Sequence, residues 1–463
     1  MSLSVAMQSG ESFYFRLYLK DKGPSGYSIE NPEAFLSPAA VSRRQKDGIR
    51  IDASDLPVAR AYLDTLGALG ARPVVTSKWF STVVVESADS ALVRQLQTLP
   101  MVDSVKWVWK GNRQTPPGGT AGTAGTVKDT ADTARLFPTD PPQKSLYGYA
   151  ETQINMLDGI RLHQAGYRGS GMRVAVIDAG FRDADRMAVF DSLRLEGTYN
   201  VVSPGESVFS DDEHGTKVLS CLAANAPGVM IGTAPEASYW LIKSEDGDSE
   251  YPVEEDYWTA AVEFADSAGV QVVSSSLGYF AFDDQALSYH PAMLDGETAF
   301  ISRAARTAAH KGLLVFVSAG NEGNGNWRKL TFPADVPQVV TVGAVTAGRE
   351  KSVFSSTGFT ADNRVKPDVV ALGTHCAVID GSGSVGYSSG TSFATPIVAG
   401  LGVCLWQALP QLSNLEMIRR IQRSASHYNQ PDAERGYGIP NLYNAYRDAH
   451  ENTHENAHED AGR

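Results

Sequence analysis

The chain has 463 residues, 42% hydrophobic and 20% charged, enough for about two or three domains with large apolar cores and incompatible with wholesale disorder. Forty Lys and Arg against 53 Asp and Glu leave a net charge of −13, which argues against nucleic-acid binding by counterion release. No apolar run approaches the ~18 residues of a membrane span, and three scattered cysteines, Cys221, Cys376 and Cys404, exclude a disulfide framework or metal knuckle.

The cysteines read as buried small hydrophobes, with one Cys pair as the alternative. The opening stretch, Met1 to Gln8, has neither the basic region nor the apolar run of a secretory signal. Phe13, Phe15, Leu17 and Leu19 then alternate with Tyr14, Arg16 and Tyr18, the period of a half-buried strand. Ser37-Pro38 opens a helix reaching Lys46, with serine as cap and proline at the first helical position. Val58 to Leu69 reads as a second helix, stopped by Gly70. Val74 to Thr76 and Trp79 to Val85 read as strands, Asp89 to Leu99 as a helix, and Val102 to Trp109 as a last strand. This mixture over residues 12–110 fits a small α+β domain.

Residues 111–145 change character. Pro116-Pro117-Gly118-Gly119, a repeated Thr-Ala-Gly over 120–125, then Pro138, Pro141 and Pro142 describe an exposed linker that is readily cut. From Gly171 the rhythm turns to strand, helix, strand. Arg173 to Ile177, Tyr239 to Ile242, Val270 to Ser274 and Leu313 to Val317 are short apolar runs. His214 to Ala224, Glu254 to Ala268 and Thr298 to His310 are helical patterns. Continuous apolar strands separated by helices predict an α/β domain over 146–448, with a mostly parallel sheet covered on both faces. In such sheets the working residues gather beyond the carboxyl ends of the strands. Residues 449–463 form a polar tail in which His450, His454 and His458 recur every fourth residue, read as a solvated end, with a metal-binding helix face as the alternative.

Three short segments carry the chemistry. Val174-Ala175-Val176-Ile177 delivers Asp178 to the end of a strand. His214-Gly215-Thr216 opens an apolar helix. Ser389-Gly390-Thr391-Ser392-Phe393-Ala394-Thr395-Pro396 puts Ser392 at the mouth of a helix running to Leu409, with Pro396 expected in its first turn. A serine hydroxyl needs a base within hydrogen-bond reach, and imidazole suits, with an unperturbed pKa near ~6.5. A carboxylate then fixes the imidazole tautomer and stabilises the imidazolium, and a helix N-terminus offers N–H groups to a developing oxyanion.

The flanks of Asp178, His214 and Ser392, in that order along the chain, closely resemble the active-site segments of subtilisin-like serine proteases. So do Ser318-Ala319-Gly320-Asn321, Lys366-Pro367-Asp368-Val369-Val370-Ala371 and Ser276-Leu277-Gly278. Lys20-Asp21-Lys22-Gly23, Leu36-Ser37-Pro38, Arg43-Arg44 and Thr76-Ser77-Lys78-Trp79-Phe80 resemble the prodomains of a Bacteroidetes-type branch of that family, as do Asp295-Gly296 and Ser302-Arg303-Ala304-Ala305 its catalytic domains. The resemblance spans residues 12 to about 448. It implies a three-layer subtilisin-like domain preceded by a ferredoxin-like prodomain that assists folding and blocks the cleft until the linker is cut.

The same resemblance implies a serine endopeptidase with Ser392 as nucleophile, His214 as base, Asp178 as its orienting partner and Asn321 holding the oxyanion. Ser276, Leu277 and Gly278 on one side, and Leu241 and Lys243 on the other, would clasp an extended protein or peptide substrate by strand addition. The implied partners are such substrates and the chain's own prodomain, without nucleic acid or membrane. No cofactor is required; structural calcium is common in the family and Asp183, Asp185, Asp211 and Asp212 are available to it, but these read first as ordinary surface carboxylates and no metal ligand is named. Family members are secreted or periplasmic, although no signal is visible in this sequence. Two other readings compete: a binding protein on an inactive protease scaffold, and an esterase using Ser388 in the elbow-like Gly386-Tyr387-Ser388-Ser389-Gly390.

Overall fold

The computed structural model describes residues 10–111 and 145–449. Nearly all of the expected linker, and the tail with His450, His454 and His458, lie outside the described residues. The amino-terminal unit runs β1 (Ser12–Leu19), α1 (Pro38–Lys46), α2 (Arg60–Ala68), β2 (Arg72–Ser77), β3 (Thr82–Ser87), α3 (Leu92–Leu96) and β4 (Val102–Gly111). Its strands form one antiparallel sheet in the order β2-β3-β1-β4. Ser37 caps α1 as the sequence predicts, accepting a hydrogen bond from the Ala40 N–H at 3.2 Å.

Two elements are shorter than their patterns. The stretch from Asp89 becomes a turn before α3 because Ser87 Oγ and Asp89 Oδ1 take the N–H groups of residues 89 and 91, at 3.0 and 2.8 Å, in competition with a helix. Trp79 and Phe80 lie in a turn rather than a strand, since Ser77 Oγ accepts from Phe80 N and a carboxylate of the second unit, Glu263, accepts from Trp79 N.

The second unit begins with α4 (Glu151–Asn155) and α5 (Gly159–Gln164), followed by β5 (Arg173–Asp178), β6 (Arg194–Asn200), α6 (His214–Ala223) and a two-residue pair, β7 (Asn225–Ala226) and β8 (Met230–Ile231). Next come β9 (Ser238–Lys243), α7 (Val253–Ala268), β10 (Val272–Ser275), α8 (Phe300–His310), β11 (Leu314–Ser318), β12 (Val340–Val345) and β13 (Val369–Leu372). A hairpin, β14 (Cys376–Ile379) and β15 (Val385–Ser388), precedes α9 (Thr391–Ala408) and α10 (Asn414–Arg423).

Seven strands form one sheet in the order β13-β12-β11-β10-β5-β9-β6, with every pairing parallel. Alternate residues of each strand feed two cores. Val174, Val176, Leu241 and Phe316 pack with α6 and α9, whereas Ala175, Ile177, Ile242 and Val317 pack with α7 and α8. The three layers follow from that division. Edge strand β6 was not legible in the sequence, because Arg-Leu-Glu-Gly-Thr-Tyr-Asn is largely exposed and carries no apolar rhythm.

Helix α9 corrects two expectations. It has the length and composition of a membrane span, yet 89% of it is buried inside the protein, which makes it a core helix across β10 to β13. Pro396 lies inside it rather than in its first turn. The three cysteines are free and buried.

The strand predicted to be half-buried is buried on both faces. Phe15, Leu17 and Leu19 line the amino-terminal core, while Tyr14 and Arg16 face the second unit. Arg16, fully buried, forks onto Asp256 of α7 at 2.6 and 2.5 Å, donates to the Pro252 carbonyl and lies 3.8 Å from the Phe300 ring centroid. One turn and more along α7, Glu263 accepts from Ser77 Oγ and from the N–H groups of Lys78 and Trp79 at 2.5, 2.9 and 3.0 Å. At the helix end Asp266 takes both Arg43 and Arg44. Burial opposes its negative charge, but the two guanidinium groups, with Lys78, hold its carboxyl below the usual range.

Removing one partner from such a dry pair leaves the other charge uncompensated. Asp266→Asn is therefore expected to cost the full-length chain about 3–5 kcal/mol in urea denaturation, whereas Arg60→Ala, which breaks an exposed pair with Asp64, leaves the midpoint unchanged within error.

Candidate active site

Strand β5 is buried from Val174 to Asp178, and the carboxylate it delivers is itself 0% exposed. Asp178 Oδ1 accepts from the Ala179 N–H at 2.8 Å and lies 2.6 Å from His214 Nδ1. His214 is the first residue of α6, and its own N–H donates to Asp212 Oδ1 at 2.6 Å. Gly215 permits this approach: a Cβ there would sit 2.3 Å from the Gly180 carbonyl oxygen and 3.0 Å from Asp178 Cβ. The His214 side chain keeps 18% of its surface open. Burial lowers the imidazole pKa, but the charge and hydrogen bond of Asp178, followed by the charge of Asp212, outweigh it and raise the value above the ordinary one.

Ser392 is the second residue of α9, where a helix leaves its N–H without an intrahelical acceptor. The ring of the next residue, Phe393, lies 5.9 Å from the imidazole, centroid to centroid, so the first turns of α6 and α9 are neighbours. Ser392 Oγ donates to the Ser276 carbonyl at 3.3 Å. In return Ser276 Oγ donates to the Ser392 carbonyl at 2.8 Å. That second bond has a cause in the sequence: Pro396, four residues on, has no N–H to give that carbonyl, and Ser276 supplies the donor instead.

Asn321 follows Gly320, whose φ of +100° and close neighbours Thr331 and Ser356 suit a residue without a side chain. Asn321 Oδ1 accepts from both Thr391 N and Thr391 Oγ1, at 2.9 and 3.0 Å. The two donors fix which end of the amide is oxygen, leaving the NH₂ end as the available donor beside the start of α9.

Beyond β10, Ser276 is buried, Leu277 half-buried and Gly278 exposed. A Cβ on Gly278 would fall 2.2 Å from Thr331 Oγ1, so its lack of a side chain is a packing requirement as well as an opening. Neither Leu241 nor Lys243 offers an open edge for an extended chain, although Lys243 lies beside Asp178 in the sheet. Strand β9 is paired on both sides, by β5 and β6, so it offers no free main-chain edge. Leu241 is fully buried beneath the sheet, and Lys243 is ion-paired with Asp211.

The segment after β9, unread in the sequence, meets the amino-terminal unit instead. Trp109 Nε1 of β4 donates to Ser249 Oγ at 2.9 Å, and Trp107 and Trp109 pack on Tyr251 with ring centroids 6.0 and 6.4 Å away. The last described strand of the amino-terminal unit thus ends against residues 249–251. Its aromatic alternation was the available signal.

Asp183, Asp185, Asp211 and Asp212 do not converge: the first two face Arg186, the third Lys243 and the fourth the His214 backbone. Ser388 ends hairpin strand β15, opposite Cys376, and although α9 follows after two intervening residues, that strand belongs to a separate two-stranded hairpin and not to the buried parallel sheet that carries a nucleophile elbow.

An α/β sheet with an acid at a strand end, a histidine opening one helix and a serine opening another defines a hydrolase-like site. A profile of the subtilase family matches residues 169–439, and one of the peptidase S8 propeptide domain of Bacteroidota matches residues 14–120. Subtilisin E of Bacillus subtilis (strain 168) is 31% identical over 281 residues, 59% of this chain and 65% of that relative. Subtilisin of Bacillus pumilus is 30% identical over 281 residues, 59% of this chain and 90% of that one. M-protease of Shouchella clausii (strain KSM-K16) is 29% identical over 295 residues, 63% and 66% of the two chains. With the family match covering more than half of it, the chain belongs to the subtilase family, although it spans just under two thirds of subtilisin E.

The raised pKa of His214 has a definite sign. Its ion pair with Asp178 adds stability below the ordinary histidine value of about 6.5, and that contribution is lost as pH rises through the raised value. NMR titration of the His214 ring is expected to give a midpoint above 6.5 that moves down in Asp178→Asn. Gly215→Ala, which forces α6 away from Asp178, is expected to move it in the same direction.

Proposed function

We propose that the chain is a serine endopeptidase, made as a precursor whose amino-terminal unit acts as an inhibitory prodomain, with residues 111–145 as the linker to be cut. The observation that carries this reading is the 2.6 Å contact between His214 Nδ1 and Asp178 Oδ1, at the carboxyl end of the sheet and beside the start of the helix that bears Ser392. Family membership and the propeptide match support it.

In this mechanism Ser392 Oγ leaves the Ser276 carbonyl and attacks the substrate carbonyl carbon while His214 Nε2 takes its proton. Asp178 holds Nδ1–H and stabilises the imidazolium. The oxyanion is met by the Asn321 amide and the Ser392 N–H. The imidazolium gives its proton to the departing amine, leaving an acyl-enzyme that water hydrolyses by the same proton path in reverse. Ser276, Leu277 and Gly278 form one wall for an extended peptide, and the residues touched by Trp109 form the other. No cofactor takes part; the partners are protein or peptide substrates and the prodomain. Export from the cell is the localisation that goes with the family.

Casein cleavage is expected to vanish in Ser392→Ala and persist in Ser388→Ala. Asn321→Ala is expected to lower kcat by about 10²–10³ with little change in KM. An inactive wild type that also fails to react with a serine-directed fluorophosphate, after removal of the amino-terminal unit, would favour a binding protein on this scaffold.

Self-processing gives a second check. On incubation the wild type should shorten by its amino-terminal unit, while Ser392→Ala stays full length on a denaturing gel. Equal processing of both would assign the cut to another protease.

A further inference from the structure

Three carboxylates that the proposed mechanism does not use converge just past β9. Glu245 follows the strand by two residues, Glu250 lies in the connecting segment and Glu254 sits in the first turn of α7. One oxygen from each lies within 4.8 Å of the others. Glu254 is fully buried and Glu245 is 4% exposed. Tyr279, one residue beyond Gly278, donates its hydroxyl to Glu245. Among the described residues none of the three is ion-paired with a Lys or Arg, unlike Asp256 and Asp266 farther along the helix.

A second observation separates this group from an ordinary acidic cluster. Glu254 Oε1 accepts from the Asp246 N–H at 3.1 Å, but Glu254 Oε2, equally buried, has no N–H or hydroxyl donor, and the other close polar partner of this carboxyl is the Glu245 carboxyl, which also brings no donor unless it is protonated. An unpartnered carboxylate oxygen in a dry site requires a proton or a cation.

We propose that Glu245, Glu250 and Glu254 form a calcium site that ties the segment after β9 to the start of α7. The donors are all oxygen, the preference of a hard cation, and two oxygens bound to one Ca²⁺ at 2.3–2.6 Å lie at most about 4.6–5.2 Å apart, a span that accommodates these three. The remaining ligands would be water or main-chain carbonyls. The site is separate from the Asp183, Asp185, Asp211 and Asp212 carboxylates. It holds the segment containing Ser249 and Tyr251, the residues against which Trp107 and Trp109 pack, so the ion would stiffen the wall on which the amino-terminal unit ends.

The test uses the full-length chain with Ser392→Ala to keep it intact, stripped with EDTA and dialysed. Tb³⁺ is expected to give luminescence sensitised through Tyr279 and displaced by Ca²⁺, and Ca²⁺ is expected to raise Tm. Glu254→Gln and Glu250→Gln should each bind one ion fewer in equilibrium dialysis and lose most of the luminescence, whereas Asp183→Asn retains both. Should Glu254→Gln fail to fold, the half-buried Glu250→Gln decides alone. The same ion count and luminescence in wild type and Glu250→Gln would overturn the proposal. So would a wild type indifferent to Ca²⁺ whose Tm rises on acidification, the behaviour of carboxyls sharing protons. No step measures proteolysis, so the outcome is independent of the reading of Ser392 as a nucleophile.

Discussion

The contact of Asp178 with His214 is the constraint around which the second unit is arranged. A buried carboxylate is tolerable only where charge or hydrogen bonds meet it, and here the strand end provides the Ala179 N–H while α6 brings the imidazole. That approach needs Gly215, because any side chain would collide with the Gly180 carbonyl. The parallel sheet sends β5 and β10 in one direction, so that Asp178 and Ser276 emerge at the same end. The serine helix α9 then crosses below them. Its proline breaks the internal hydrogen-bond ladder at the Ser392 carbonyl, and Ser276 repairs it. Strand order, a glycine and a proline together set the positions of groups that lie more than 200 residues apart in the chain.

Much of this was legible in the sequence because the signals were local. Val-Ala-Val-Ile before Asp178 reads as a buried strand, and Ser37-Pro38 as a helix start, from the residues themselves. Asn321 was identifiable through resemblance, and the structure adds why its amide is oriented: Thr391 donates to its oxygen twice. What escaped the sequence depended on distant partners. Trp79 has strand propensity but turns because Glu263, 184 residues away, accepts its N–H. Leu241 and Lys243 stood near a presumed substrate edge, yet β6, a polar strand without an apolar period, covers that side of β9. Pro396 suggested a helix start, whereas the helix had already begun five residues earlier with an outside donor compensating for the proline.

The two units meet over a surface that mixes core and charge. Tyr14, Trp79, Val84, Val108 and Trp109 join the apolar cluster of α7 and α8, and Arg16 is as buried as any of them. The alternation in β1 identified two faces correctly but could not say that its polar face would be covered. A charged residue within a strand ordinarily marks the solvent side; here its counter-charge belongs to a helix 240 residues downstream.

Helix α7 is accordingly a keel with cargo on both sides. It packs its apolar residues on the sheet, while Asp256, Glu263 and Asp266 each rely on the amino-terminal unit for positive charge or N–H donors. Detachment of that unit would not merely open a groove; it would turn a neutralised ridge into a bare anionic one. Water, salt or a new basic surface would then have to satisfy what Arg16, Arg43, Arg44 and the Lys78–Trp79 backbone had satisfied. The liberated molecule would carry a distinctive acidic stripe as a permanent imprint of its former companion.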